Sequence, residues 1–200
     1  MFDARLRPLI NPPLNAAGRA LARSGISANT LTLAGLAPAL AAGFAIAHQH
    51  YLAALALIAL NRLIDGLDGA VARARGATDW GGYLDILADY VFYLSVPLGF
   101  AFAAPGNAIP ALVLVASFTL TAVSFLAFAA LAAKRGQTDS GHGRKSFLYS
   151  TGLAEGAETI AVFIAMCLWP AAFAWLCWGF AALCGLTVIQ RSVRARHTFG

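Results

Sequence analysis

Four aspartates, Asp65, Asp68, Asp85 and Asp89, stand in two pairs spaced i, i+3 and i, i+4. Each spacing places its pair on one face of a helix. The flanking sequence is strongly apolar, and carboxylates in such surroundings are costly unless positive charge compensates them. Divalent metal is the simplest compensation, because hard cations take carboxylate oxygens. One pair from each of two neighbouring helices would hold two ions about 3.5–4 Å apart, the geometry of two-metal phosphoryl chemistry. Metal there would neutralise a diphosphate and stabilise its leaving group, while a spare carboxylate took the proton of an attacking alcohol.

The elements that must hold these acids are membrane helices. Of 200 residues, 60% are hydrophobic and only 12% charged, against about 25% charged in a soluble domain. The length allows six spans of about 20 residues with short loops and leaves no room for a separate soluble domain. Residues 1–28 read as an amphipathic interfacial segment, with Leu14, Leu21 and Ile26 interleaved with Arg19 and Arg23. Residues 29–200 read as a six-helix bundle, the two parts making a single domain. The expected spans are 30–48, 51–75, 82–104, 111–133, 152–169 and 173–189. Ser27 is the expected N-cap of the first. The turn at 76–81 joins the second and third, so both acid pairs meet at one membrane face.

All 14 Lys and Arg residues fall on one side of this arrangement. They lie in the N-terminal segment, at the end of the second span, in the 134–145 connection and at the C-terminus. The opposite turns, near 48–51, 105–110 and 169–172, carry none. The positive-inside rule therefore places both termini and the acids in the cytoplasm. The net charge of +5 belongs to this orientation and to anionic lipid headgroups, and no nucleic-acid module accompanies it. Cys167, Cys177 and Cys184 lack metal-binding spacing and read as buried packing thiols.

The stretch Asp65-x2-Asp68-Gly69-x2-Ala72-Arg73, seven residues, then Gly81-x3-Asp85-x3-Asp89 resembles the signature of the CDP-alcohol phosphotransferases. All eight fixed positions are present, and the seven-residue spacer is at the short end of the family's range. The Asn29-Thr-Leu-Thr32 run resembles the Pro-Asn-x-x-Thr start of that family's first span, with Ala28 in place of the proline. The resemblance implies that Asp65, Asp68, Asp85 and Asp89 bind two Mg2+ or Mn2+ ions, and that Asp89 is also the catalytic proton acceptor. It implies that Asn29, Thr32, Gly69, Arg73 and Thr78 meet the nucleotide. Asn29 and Thr32 serve equally well as helix-capping residues.

The implied reaction moves a phosphatidyl group from a CDP-linked donor, CDP-diacylglycerol first, to an alcohol, releasing CMP. The implied setting is a bacterial inner membrane, and the implied assembly a homodimer. Glycerol 3-phosphate is the favoured acceptor, because Arg144 and Lys145 on the cytoplasmic connection would suit an acceptor phosphate. The same two charges would also act as orientation anchors. Glu155 and Glu158 suit acceptor hydroxyls, an ion pair with those cations, or a helix N-terminus. Two rival readings are a membrane prenyltransferase with paired acid motifs and a divalent-cation transporter with an acidic intramembrane site.

Overall fold

The computed structural model describes residues 2–135 and 153–200. The described residues are helical, with no strand among them. In chain order the helices are α1 (Phe2–Arg23), α2 (Ala28–Ala47), α3 (Tyr51–Arg75), α4 (Asp79–Ala103), α5 (Ala108–Lys134), α6 (Gly156–Leu168) and α7 (Phe173–Phe199). One-turn 3-10 helices at Pro105–Asn107 and Pro170–Ala172 lead into α5 and α7.

Helix ends follow local chemistry. Ser27 caps α2, its hydroxyl accepting from the Thr30 amide at 3.1 Å, as its position before the apolar run predicts. Thr78 caps α4 in the same way, accepting from the Gly81 amide at 3.0 Å. Between α3 and α4 the chain turns through Gly76 at φ 101°, a conformation glycine adopts without steric cost.

Four of the six expected spans are matched by helices long and apolar enough to cross a membrane: Ala28–Ala47, Asp79–Ala103, Pro105–Lys134 and Pro170–Phe199. The other two depart from that pattern for different reasons. Helix α3 has 25 residues, about 37 Å at 1.5 Å per residue. It carries Arg62 just before its midpoint, however, and Asp65, Asp68, Arg73 and Arg75 in its second half. Helix α6 has 13 residues, about 20 Å, short of a hydrocarbon layer about 30 Å thick.

Helix α2 packs against both α3 and α4, α1 against α3, and α5 against α7. Small residues permit the closest approaches. A Cβ built on Gly43 would lie 2.6 Å from the Ser95 carbonyl oxygen, and one on Gly99 would run into the Gly43 carbonyl. Backbones in contact at this distance are typical of small-residue helix pairs in membranes. Ser95 reinforces the pair by donating to the Ala39 carbonyl at 2.9 Å. On the other side of α3, Gly18 of α1 sits where a Cβ would be 2.5 Å from Ala70 Cβ. The core between α4, α6 and α7 is aromatic: Phe100 stacks on Phe173 at 4.3 Å, and Phe92 meets Phe163 edge-on at 5.7 Å. The three cysteines are buried free thiols.

Contacts between helix ends show that the basic termini are brought together. Arg75, ending α3, donates to the carbonyls of Gly25 and Ile26 before α2. Arg135, after α5, donates to those of Thr198 and Phe199 at the end of α7. At the opposite end, Gln49 in the α2–α3 turn reaches the Ala103 carbonyl that ends α4. The helices therefore alternate in direction as the charge segregation requires.

The glycine contact gives a stability test. Gly99→Leu should lower the unfolding free energy in detergent by roughly 1–3 kcal/mol or more, the usual cost of overpacking. Gly179→Leu should leave it nearly unchanged, because nothing lies within 4 Å of a Cβ there. Equal midpoints for the two variants would contradict this account of the α2–α4 contact.

Candidate active site

The acid pairs ride on neighbouring helices joined by a short turn, and α2 closes over them. Asp65 and Asp68 lie on α3, Asp85 and Asp89 on α4. One carboxylate oxygen from each of Asp65, Asp68 and Asp85 lies within 4.8 Å of the others. Asp68 is buried, and its Oδ2 accepts from the Thr32 hydroxyl of α2 at 2.8 Å. That hydroxyl is also 3.0 Å from the Ala28 carbonyl. Thr32 thus fixes the orientation of the most enclosed acid.

Asp89 lines the same small cleft, together with Thr32, Asn61, Arg62, Asp65 and Asp68. Its Oδ1 accepts from Arg62 Nη1 at 3.0 Å, and the same nitrogen is 3.6 Å from Asp65 Oδ2. Arg62 is in turn held by Asn61, whose Oδ1 accepts from Nε at 2.9 Å and Nη2 at 2.7 Å. Asn61 donates its amide to the Gly35 carbonyl of α2 at 2.9 Å. The guanidinium lies 4.2 Å above the Phe92 ring, within cation–π range.

Of the residues expected at the nucleotide, Thr32 meets Asp68 directly, and Asn29 and Thr78 meet at the start of α4. Asn29 Oδ1 and Thr78 Oγ1 flank Gly81, each 3.1 Å from a Cβ built there. A side chain at Gly81 would therefore crowd both. Arg73 folds back over Gly69, its Nη1 being 3.3 Å from a Cβ at that position. Its Nε and Nη2 donate to Asn15 Oδ1 of α1 at 3.1 and 2.9 Å. Arg144 and Lys145 lie outside the described residues. Glu155 and Glu158 stand at the start of α6, Glu155 as its N-cap residue.

Three residues went unrecognised in the sequence. Arg62 was indistinguishable from the orientation charges at the end of α3, and Asn15 from the polar face of α1. Arg191 was counted with the C-terminal charges, yet it is buried. Its Nη1 donates to the Thr121 carbonyl at 2.8 Å and to Ser124 Oγ at 2.7 Å. Its Nε has no partner among the described residues.

As a donor set, Asp65, Asp68 and Asp85 fit a divalent cation. They offer hard oxygen ligands of like charge, close together, in a partly enclosed place. Asp89 differs from them in accepting a hydrogen bond from the Arg62 guanidinium at 3.0 Å, where Asp65 stands 3.6 Å from the same nitrogen.

Residues 26–188 match the family described as CDP-alcohol phosphatidyltransferase. The chain is 50% identical over 192 residues to the inner membrane protein YnjF of Escherichia coli, covering 96% of this chain and 93% of that one. It is 35% identical over 99 residues to the archaetidylinositol phosphate synthase of Pyrococcus horikoshii, covering 49% of this chain and 53% of that one. Its fold resembles the phosphatidylinositol phosphate synthase of Mycobacterium tuberculosis. The match to the form with CDP-DAG bound has a TM-score of 0.69 at 21% identity, covering 91% of this chain and 92% of that one. For the form with manganese and citrate the TM-score is 0.70 at 22% identity, with coverage of 91% and 88%.

The Thr32–Asp68 contact is testable without any substrate. Thr32→Val keeps the side chain's shape and removes the donor, leaving a buried carboxylate oxygen unsatisfied. It should lower the unfolding free energy of the metal-free protein by about 1.5–3 kcal/mol, read as a lower melting midpoint in detergent. An unchanged midpoint would show that the contact does not hold Asp68.

Proposed function

The chain belongs to the CDP-alcohol phosphatidyltransferase family, and on that basis we propose that it moves a phosphatidyl group from CDP-diacylglycerol to a phosphorylated alcohol. The convergence of Asp65, Asp68 and Asp85 from α3 and α4, beside a cleft that Asp65, Asp68 and Asp89 line, carries the reading. Family membership favours it over the prenyltransferase and cation-transporter alternatives.

In the proposed reaction the acceptor hydroxyl oxygen attacks the phosphorus that bears diacylglycerol. The bond from that phosphorus to the CMP oxygen breaks, and CMP leaves. Asp89 takes the hydroxyl proton, its carboxylate oriented by Arg62. Asn29, Thr32, Thr78 and Gly69 line the nucleotide's position, where the bare backbone at Gly69 permits close approach. Arg73, its Nε and Nη2 held by Asn15, offers its remaining Nη1 to the donor phosphates beside Gly69. Asp65, Asp68 and Asp85 would hold Mg2+ or Mn2+, which when bound neutralises the diphosphate and stabilises the departing CMP.

Six spans, with α1 lying in the interface, complete the reading. Helix α3 then crosses with its charged half at the site. The basic helix ends, the acids and both termini face the cytoplasm of a bacterial cell, the protein sits in its inner membrane, and it works as a homodimer. The acceptor class follows from charge. Arg144 and Lys145 lie in the connection that precedes α6, and Arg191 adds a buried cation whose Nε has no partner among the described residues. Two of the similar proteins are named as synthases of inositol phosphate lipids. Inositol phosphate therefore stands beside glycerol 3-phosphate as a candidate acceptor.

The test is CMP release by purified protein given CDP-diacylglycerol and, in turn, glycerol 3-phosphate, inositol phosphate, inositol and serine. One of the two phosphorylated acceptors should support turnover well above the unphosphorylated pair. Asp85→Asn should reduce it by roughly 10²–10³-fold, the scale typical of losing one electrostatic stabiliser. Preferred use of serine or inositol would overturn the acceptor class. Unchanged turnover by Asp85→Asn would overturn the site assignment.

A further inference from the structure

Arg62 is held too firmly to be an orientation charge. It precedes Asp65 by three residues, so the two side chains share one face of α3. Its side chain is only 16% exposed. Asn61 takes two of its N–H groups, Asp89 a third, and Phe92 covers its plane. The supports are themselves fixed: Asn61 is 5% exposed and tied to the Gly35 carbonyl, and Phe92 is fully buried. Swinging Arg62 away would leave the Asn61 oxygen buried without its donors, which is costly.

We infer that Arg62 is a built-in cation standing where a second divalent ion would bind, so that the chain holds one ion, on Asp65, Asp68 and Asp85, and pairs Asp89 with a guanidinium. This rests on the reading of those three aspartates as metal ligands. A second ion bridging to α4 would need Asp89 as a ligand, within about 2.0–2.2 Å of its oxygen. Arg62 Nη1 already lies 3.0 Å from Asp89 Oδ1 and 3.6 Å from Asp65 Oδ2. An ion there would sit against a positive charge in a partly desolvated cleft, where repulsion is poorly screened. Arginine cannot relieve the conflict by losing its proton. The paired-acid spacing predicts two ions; the packing of α3 against Phe92 of α4 supplies one of the two cations from the chain.

The count of bound Mn2+ decides the matter. Detergent-purified protein is titrated with Mn2+, free ion being followed by its EPR signal. The wild type should bind one Mn2+ per chain with no exchange-coupled spectrum. Arg62→Met, which keeps an unbranched stem and removes the charge, should bind two and show the multiline signal of a coupled pair. Asp85→Asn should bind none. Two ions on the wild type would overturn the inference while leaving the family chemistry intact, and so would a single ion on Arg62→Met. No bound Mn2+ on either wild type or Arg62→Met would overturn the metal reading itself and the inference with it. Should Arg62→Met fail to fold, the wild-type count still decides.

Discussion

Mutual repulsion among carboxylates at a helix crossing is the constraint on which the rest of this structure depends. Asp65, Asp68 and Asp85 bring oxygens within 4.8 Å of one another in a partly enclosed place. Such an arrangement persists only if positive charge and hydrogen-bond donors answer it. The chain supplies part of the answer itself. Thr32 donates to Asp68 from α2, and Arg62 pairs with Asp89 across α3 and α4. The three carboxylates also fit a divalent cation, which the proposed diphosphate chemistry would use.

The scaffold serves that crossing. Contact between the backbones of α2 and α4 at Gly43 and Gly99 keeps α4 against α2, while α3 lies along α2's other flank. All three helices therefore converge on the acids. Helix α1 enters from outside, with Gly18 against Ala70 and Asn15 clamping Arg73. A helix seated this way packs on α3 and holds the arginine proposed to meet the donor phosphates. The aromatic core also reaches the site, since Phe92 both packs on Phe163 and carries the Arg62 guanidinium.

Much of this was legible in the sequence, for local reasons. The i, i+3 and i, i+4 acid spacings, the Ser27 cap, the turn at 76–81 and the proline breaks depend on neighbours a few residues away. They placed α2 to α5 and α7 to within a few residues at most ends, α7 alone running well past its expected end. What escaped depends on distant partners. Arg62 looked like one of many orientation charges, and its role appears only when Asp89 and Phe92 are brought to it from α4. Asn15 gained meaning from Arg73, 58 positions away. Arg191 read as part of a basic tail, but α5 buries it. The apolar run before Trp169 suggested a full span, and the described part of it is the 13-residue α6. Composition alone does not reveal where that helix begins.

The central claim is that the aspartate cluster is completed by a divalent cation, and thermal unfolding of the purified protein tests it most directly. A ligand that binds only the folded state stabilises it by mass action. Adding Mn2+ at constant ionic strength should raise the melting midpoint of the wild type by several degrees, increasing with concentration. The rise should vanish when Asp65, Asp68 and Asp85 are all replaced by asparagine. A wild-type midpoint indifferent to Mn2+, or an equal rise in the triple variant, would contradict the account.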